Sequence, residues 1–270
     1  MLFGRAYGCM SFVATWKPCQ QFVDKPRSEI YSCTVDKQCR MPAAACVRHG
    51  AAVVVVGRNS DKCESAVASL GERARSVTGD ASNSATAVAA VRSAVDCCGD
   101  FHGLYQVAGG SGRSKGDGPL HEITDDGWRY TVGLNIDSLM YSNRAATKML
   151  LELGHGGSVL NMSSVLADSP APRYFATHTY AATKAAANGL TKAAAAYYAK
   201  QNIRFNAVAP ALGDTPVATR AMSNESIVGY VATKKPLDGG RVGQASDLDD
   251  AVVYLLSDES RFVTGQVLAV

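Results

Sequence analysis

The stretch SVLNMSSVLADSPAPRYFATHTYAATK, residues 158–184, decides the fold of this chain. Its first part, Ser158–Met162, is a short apolar run that predicts a buried strand, and two serines follow where that strand ends. Its last part opens an alanine-rich helix, which the pattern predicts over Thr179–Lys200. A buried strand followed by a helix is the repeating unit of α/β folds, which bind ligands beyond the carboxyl ends of their strands.

The same alternation extends outward in both directions. Val53–Val56 is a run of β-branched residues that predicts another buried strand, and Ser60 is predicted to cap a helix that runs to Leu70. The other predicted strands are Arg75–Thr78, Leu104–Val107, Ile203–Val208 and Gln266–Val270, and the other predicted helices are Ala43–His49, Thr86–Asp96, Asp125–Leu153 and Asp247–Leu256. We therefore expect a single-domain α/β fold with a doubly wound, Rossmann-like parallel sheet.

Composition excludes several classes of function. Hydrophobic residues make up 47% of the 270 residues, which is enough to bury a sizeable core. The net charge is only +3 and no basic stripe carries interleaved aromatic residues, so no nucleic-acid partner is expected. No uncharged apolar run approaches the roughly 18 residues of a membrane span, so no membrane partner is expected.

The positions of the cysteines predict a reducing cellular compartment and argue against a zinc site. All 8 cysteines lie within the first 98 residues, and no pair has the CxxC spacing of a zinc ligand set. The sequence therefore predicts no metal site and a reducing, cytoplasmic location. The apolar N-terminal stretch MLFGRAYGCMSFVATW leaves a targeting segment open as an alternative.

Tyr180 and Lys184 stand four residues apart in the predicted helix, so their side chains lie on one face. A tyrosine hydroxyl, with a pKa of roughly 10, is a poor base at neutral pH. A neighbouring ammonium lowers that pKa, so the pair could move a proton to or from a carbonyl or alcohol oxygen. The alternative is a solvated helix face, because a chain with 11 tyrosines will contain this spacing by chance.

The context of the pair carries a resemblance to a known family. Ser164 follows the strand Ser158–Met162, and Asn135 lies upstream inside a helix, where asparagine is not favoured. Asparagine, serine, tyrosine and lysine in this order resemble the short-chain dehydrogenase/reductase family. The flanking strings that resemble the family are AGG (108–110), SVLNMSS (158–164), YAATK (180–184), IRFNAVAP (203–210) and GRVGQASDLDDAVVYLLSDESRFVTGQVLAV (240–270).

The resemblance implies a mechanism. Tyr180 would be the general acid/base, and Lys184 would lower its pKa and hold the nicotinamide ribose. Ser164 would hydrogen-bond the substrate oxygen, and Asn135 would support a proton relay through water. The hydride chemistry would belong to the cofactor. From the residues alone, Ser164 could instead bond local backbone and Asn135 could simply bend its helix.

The end of the second strand indicates the cofactor. Gly57-Arg58-Asn59 contains no carboxylate, and a guanidinium suits a 2′-phosphate, so NADP(H) is expected in preference to NAD(H). Arg58 could also be an ordinary surface cation. The resemblance implies that Asp80 meets the adenine ring, although Asp80 could instead cap the next helix. The predicted cofactor-binding set is Arg58, Asp80, Ala108, Gly109, Tyr180, Lys184, Pro210 and Thr215.

The N-terminal part departs from the family pattern. The family has a glycine-rich turn after its first strand that lets backbone approach the pyrophosphate, whereas the corresponding residues here, Cys33–Cys39, read CTVDKQC. We therefore divide the chain into a divergent segment, residues 1–40, and a dinucleotide-binding and catalytic domain, residues 41–270. The segment could be a divergent phosphate site, a site that has lost cofactor affinity, or sequence that is not native to the domain.

Two functions follow from these features. The first is an oxidoreductase that transfers hydride between NADP(H) and a small-molecule carbonyl or alcohol. The alternative is a non-catalytic relative that acts by binding or assembly, which the missing glycines favour. Tyr174, Phe175 and Met222 indicate an apolar substrate pocket. The helix Thr179–Lys200 is apolar on more than one face, which predicts a homodimer or homotetramer.

Overall fold

The computed structural model describes residues 11–15, 37–215 and 218–270, in which strands and helices alternate. The strands are β1 (Ser11–Thr15), β2 (Ala52–Gly57), β3 (Ala74–Thr78), β4 (Gly103–Gln106), β5 (Gly157–Met162), β6 (Ile203–Ala209) and β7 (Val267–Ala269). The helices are α1 (Lys37–Arg48), α2 (Ser60–Leu70), α3 (Ser84–Cys98), α4 (Asp125–Val132), α5 (Ser138–Leu153), α6 (His178–Tyr198), α7 (Thr219–Met222), α8 (Glu225–Lys234) and α9 (Asp249–Leu256). None of the helices among these residues is long and apolar enough to cross a membrane.

The strands form one sheet in the order β3-β2-β1-β4-β5-β6-β7. β2 pairs with β3 in parallel, as β4 does with β5, β5 with β6 and β6 with β7. Because β2 and β4 are both antiparallel to β1, they run in the same direction as each other. The predicted doubly wound Rossmann-like sheet is confirmed, with β1 as the antiparallel exception.

The direction of β1 matters for any phosphate site. Thr15, its last residue, pairs with Ala52, the first residue of β2, so β1 ends at the edge where its neighbours begin. The carboxyl end of β1 therefore lies at the opposite edge from the carboxyl ends of the other strands. The predicted phosphate-turn residues 33–36 lie outside the described part of the chain, and α1 begins at Lys37.

Helices cover both faces of the sheet, which explains the run of valines in β2. Val53 and Val55 belong to a buried layer with α1, α2 and α9. Val54 and Val56 belong to the opposite layer with α3, α5 and the aromatic rings of Phe101 and Phe205. Since neighbouring strand residues point to opposite faces, a strand covered on both sides is apolar at every position.

Most predicted elements are confirmed, with corrections at their ends. α1 begins at Lys37 rather than Ala43, and it carries Pro42 in its interior. The α2 cap is Asn59 rather than Ser60, because the Asn59 side chain accepts a hydrogen bond from the Lys62 amide. The predicted helix Asp125–Leu153 is continuous but contains a π-helical turn over Gly133–Asp137.

An ion pair joins α1 to α9. Arg48 Nη2 lies 3.2 Å from Asp249 Oδ2, while Asp249 Oδ1 is buried without a hydrogen-bond partner among the described atoms. Burial raises the pKa of Asp249 from 3.8 to about 6, with the charges of Asp250 and Asp247 acting in the same direction and Arg48 opposing them. The folded protein therefore holds the Asp249 proton more tightly than the unfolded chain does.

This raised pKa predicts a pH-dependent stability difference between the wild type and Asp249→Asn. Relative to the variant, the wild type should lose stability as pH rises from about 3.8 to about 6 and should then stay constant, because only the carboxylate is disfavoured by burial. Urea unfolding of both proteins at intervals across this window measures the difference. Asp96→Asn, which changes an exposed residue of α3, is the control, and a difference that does not change with pH would contradict the prediction.

Candidate functional site

The candidate site lies at the carboxyl ends of β4, β5 and β6. The segment 107–110 follows β4, Ser163 and Ser164 follow β5, and Pro210 follows β6. The turns after β5 and β6 are tied together, because Val165 N donates a 3.1 Å hydrogen bond to Pro210 O. This is the edge where parallel sheets of this type bind ligands.

Asn135 joins the π-helical turn to the segment after β4. Its Nδ2 donates to Gly110 O at 2.9 Å and to Thr131 O at 2.8 Å, and its Oδ1 accepts from Gly110 N at 3.0 Å. A Cβ on Gly109 would lie 2.6 Å from Asn135 Oδ1 and 3.2 Å from Lys184 Nζ. Only glycine fits at position 109, and π-helical turns of this kind occur frequently at functional sites.

Lys184 holds its ammonium group beside Tyr180. Both residues lie on α6, and Lys184 Nζ is 5.6 Å from the centroid of the Tyr180 ring. Lys184 is 4% exposed, and its Nζ donates to Met162 O, the last carbonyl of β5, at 2.8 Å. A buried ammonium that donates to a fixed carbonyl is held in one place, so the charge stays next to the tyrosine.

The serines after β5 have different partners. Ser163 Oγ donates to Lys184 O at 3.3 Å, which joins β5 to α6. Ser164 Oγ accepts from Leu166 N at 3.3 Å, and the residue is buried. The local backbone bond expected as the alternative for Ser164 is present, yet the hydroxyl hydrogen remains available for donation to another oxygen.

Asp117 is a site residue that the sequence analysis missed. Its carboxylate accepts hydrogen bonds of 3.0 Å from Thr179 N and Tyr180 N, and the residue is buried. It therefore binds the first amides of α6, which have no partner inside the helix, and fixes the backbone that carries the tyrosine. The signal in the sequence is Gly116-Asp117-Gly118, in which an acidic residue stands between two turn-forming glycines.

A shallow cleft is lined by Arg58, Asp80 and Ala108. Arg58 Nη1 lies 3.9 Å from Asp80 Oδ2. Burial raises the pKa of Asp80, but hydrogen bonds from Ser82 and the charge of Arg58 outweigh it and hold the pKa below its ordinary value. Asp80 does not cap α3, because Asn83 is the N-cap of that helix.

A second shallow cleft is lined by Pro210, Thr215 and Lys235. Thr215 is buried, and Gly213 pairs with Gly243 across the cleft. The structure thus brings Asn135, Gly109, Lys184 and Tyr180 together, and Ser163, the neighbour of Ser164, bonds the Lys184 backbone. The remaining predicted cofactor residues line the two clefts.

An apolar cluster stands over the turn that follows β6. Tyr174 and Phe175 pack against Ile227 and Val231 of α8, together with Ala221 of α7. Met222 ends α7 and is half-buried. His178 is exposed, and its amide donates to Gly118 O at 3.1 Å.

Comparisons with known proteins identify the class. The model of the enoyl-(acyl carrier protein) reductase family matches residues 40–270. The 2-keto-3-deoxy-L-fuconate dehydrogenase of Xanthomonas campestris pv. campestris is 33% identical over 233 residues, which cover 84% of this chain and 73% of that enzyme.

Solved structures agree with this assignment. A short-chain type dehydrogenase/reductase from Mycobacterium ulcerans is 32% identical with a TM-score of 0.78, covering 86% of this chain and 83% of its own. A gluconate 5-dehydrogenase from Burkholderia cenocepacia, solved with NADP and tartrate, is 27% identical with a TM-score of 0.77, covering 85% and 88%. The chain belongs to the short-chain dehydrogenase/reductase family, whose members are NAD(P)-dependent oxidoreductases of CH–OH groups.

Proposed function

We propose that this protein transfers hydride between NADP(H) and a small-molecule carbonyl or alcohol, with Tyr180 as the general acid/base. The observation that carries the proposal is the buried ammonium of Lys184, which is held between Met162 O and the Tyr180 ring. A fixed positive charge favours the phenolate form of a neighbouring tyrosine, which makes proton transfer at Tyr180 Oη feasible near neutral pH.

The other residues of the site position the reaction. Ser164 donates its hydroxyl hydrogen to the substrate oxygen, because Leu166 N occupies only its acceptor side. Asn135 fixes the segment after β4 through Gly110, which keeps Gly109 against Lys184 and holds the ammonium in place. The proton relay through water that the family resemblance implies for Asn135 belongs to the same proposal.

The two clefts fit the two ends of a dinucleotide. Arg58 and Asp80 would bind the adenosine end, and the half-exposed guanidinium of Arg58 is available to a 2′-phosphate. Pro210 and Thr215 would lie against the nicotinamide end, and Ala108, which lines the Arg58 cleft, would contact the cofactor together with the adjacent Gly109. When bound, the nicotinamide supplies or accepts the hydride.

A relative that has lost cofactor binding is the second candidate. The observation that favours it is the direction of β1, which ends away from the edge where the pyrophosphate would lie. We place it second because burial of the Lys184 ammonium is unfavourable. A site that had lost its function would gain nothing from keeping this buried charge beside a tyrosine. Residues 1–40 remain, in this proposal, a divergent segment, from which β1 enters the sheet of the domain between β2 and β4.

Assembly and location complete the proposal. α6 leaves Leu190 and Tyr197 exposed, with relative exposures of 37% and 74%, which supports pairing of this helix in a homodimer or homotetramer. Cys46 and Cys63 are buried free thiols, which supports a reducing, cytoplasmic location.

Arg58→Ala should raise the KM for NADPH by about 10- to 100-fold and leave the KM for NADH within about twofold, since a hydrogen bond to a charged group contributes about 1.5–3 kcal/mol. Steady-state kinetics with both cofactors measures this. Arg92→Ala, which removes an exposed arginine of α3, is the charge-matched control. Equal changes in KM for NADPH and NADH would show that Arg58 does not bind the 2′-phosphate.

A further inference from the structure

A second cluster of polar side chains lies at the edge of the sheet opposite the candidate site. Asp100 and His102 stand in the turn between α3 and β4, and His155 stands in the turn between α5 and β5. One potential ligand atom of each residue lies within 4.8 Å of the others. The two histidine rings stack with their centroids 4.9 Å apart and an interplanar angle of 21°.

The nitrogens of both rings converge on one carboxylate. His155 Nε2 lies 2.9 Å from Asp100 Oδ1, and His102 Nε2 lies 3.5 Å from Asp100 Oδ2. Ligands about 2.0–2.1 Å from a tetrahedral zinc ion are about 3.3 Å apart, so three atoms that lie within 4.8 Å of one another need to move by at most about 1.5 Å to share an ion.

The ring of His155 has a fixed orientation. Its Nδ1 lies 2.9 Å from Gly156 O, which can only accept a hydrogen bond, so Nδ1 must carry a hydrogen. In the neutral ring, Nε2 then presents a lone pair towards a carboxylate oxygen at 2.9 Å, a contact that a cation shared by the two groups would stabilise. A proton is one such cation and a metal ion is the other. A backbone carbonyl on the far nitrogen is also the usual support of a metal-binding histidine.

We propose that Asp100, His102 and His155 form a binding site for a divalent transition-metal cation, with Zn²⁺ as the ion that best suits this ligand set. Two imidazoles and one carboxylate with an open fourth position are a zinc ligand set. The ion would join the turn after α3 to the turn after α5, on the side of the sheet away from the candidate site. Its role would therefore be to stabilise the fold, without contact with substrate.

The proposal differs from the expectation of no metal site, which rested on cysteine spacing. Asp100 and His155 are 55 residues apart in the chain, and only the parallel pairing of β4 with β5 brings their turns together. Gly154 and Gly156, on either side of His155, have positive φ angles of 76° and 82°, so the turn that presents the ring favours glycine at both positions.

Zinc titration of the full chain after treatment with a chelator tests the site. Calorimetry should show one equivalent of Zn²⁺ bound by the wild type, and the melting temperature should rise by roughly 5 °C at a free Zn²⁺ concentration about 100-fold above Kd. His155→Ala and His102→Ala should each weaken binding by at least about tenfold and remove the shift in melting temperature.

His121→Ala is the matched control, because His121 is 81% exposed and lies beside an acidic residue, Glu122. Within the described part of the chain, this pair has no third potential ligand. Circular dichroism without metal verifies that each variant is folded, and His155 is an exposed turn residue whose replacement leaves the core intact. Wild-type uptake that is unchanged in both histidine variants would assign the ion to another group, such as Cys97 and Cys98, and would overturn the proposal. Absence of uptake by the wild type would show that a proton occupies the position between His155 and Asp100, and would overturn it as well.

Discussion

Replacing Tyr180 with phenylalanine is expected to lower kcat by about 10²- to 10⁴-fold, which is the range of a positioned general acid/base. The substitution removes one oxygen and keeps the ring beside Lys184, so the packing of α6 should not change. The variant can neither give a proton to a carbonyl oxygen nor take one from an alcohol. Steady-state turnover with NADPH and a carbonyl substrate, found by screening the wild type, measures the loss.

The matched control for this substitution is Tyr197→Phe. Tyr197 lies on the same helix, is 74% exposed and packs edge-to-face against Tyr198. Because Tyr197 lies on the face proposed to pair between subunits, Tyr254→Phe, at a residue of α9 that is 43% exposed, is measured beside it. We expect wild-type turnover from both controls and an unchanged melting temperature from all three variants. Turnover by Tyr180→Phe within about threefold of the wild type would remove Tyr180 from the mechanism.

Asp117→Ala is expected to destabilise the folded state by about 2–4 kcal/mol, because it removes two charge-assisted hydrogen bonds and leaves the amides of Thr179 and Tyr180 buried without an acceptor. Since one of these amides belongs to Tyr180, kcat should fall in the folded variant as well. The KM for NADPH should change little, because Asp117 lies at the start of α6 and outside the cleft of Arg58. Urea unfolding and steady-state kinetics measure the two effects.

Asp117→Asn distinguishes the role of Asp117 as a hydrogen-bond acceptor from the role of its negative charge. The amide oxygen keeps one acceptor for the helix amides, so this variant should recover part of the stability and most of kcat. Asp125→Ala, which removes a carboxylate that is 89% exposed at the start of α4, is the control and should change stability by under about 1 kcal/mol. If Asp117→Ala and Asp125→Ala behaved alike, Asp117 would not be a positioning residue.

The parallel sheet and the Tyr180–Lys184 pair could be predicted because their signals are local. Val53–Val56 is apolar at every position, which distinguishes a strand covered on both faces from one with a solvent face. The spacing of Tyr180 and Lys184 on one helix fixes their common face wherever the helix lies. The serines after Met162 could be placed at the site because the carboxyl end of a parallel strand is where ligands bind.

The remaining features depend on contacts between distant parts of the chain. Asp117 accepts hydrogen bonds from two amides of α6 that lie 62 and 63 residues later in the sequence. No local sequence pattern predicts that contact. The antiparallel direction of β1 is likewise a property of its pairing with β2 and β4. The π-helical turn contains Asn135, whose side chain bonds Gly110, 25 residues away, and that pairing is not visible in the local sequence.

The measurement that tests the central claim most directly is a titration of the purified 270-residue chain with NADPH and with NADH, followed by nucleotide fluorescence. We predict saturable binding of NADPH that is tighter than binding of NADH, since Arg58 is available to the 2′-phosphate. Binding of neither nucleotide to protein shown to be folded would contradict the oxidoreductase assignment for this chain. It would leave the non-catalytic candidate, with the direction of β1 as its structural cause.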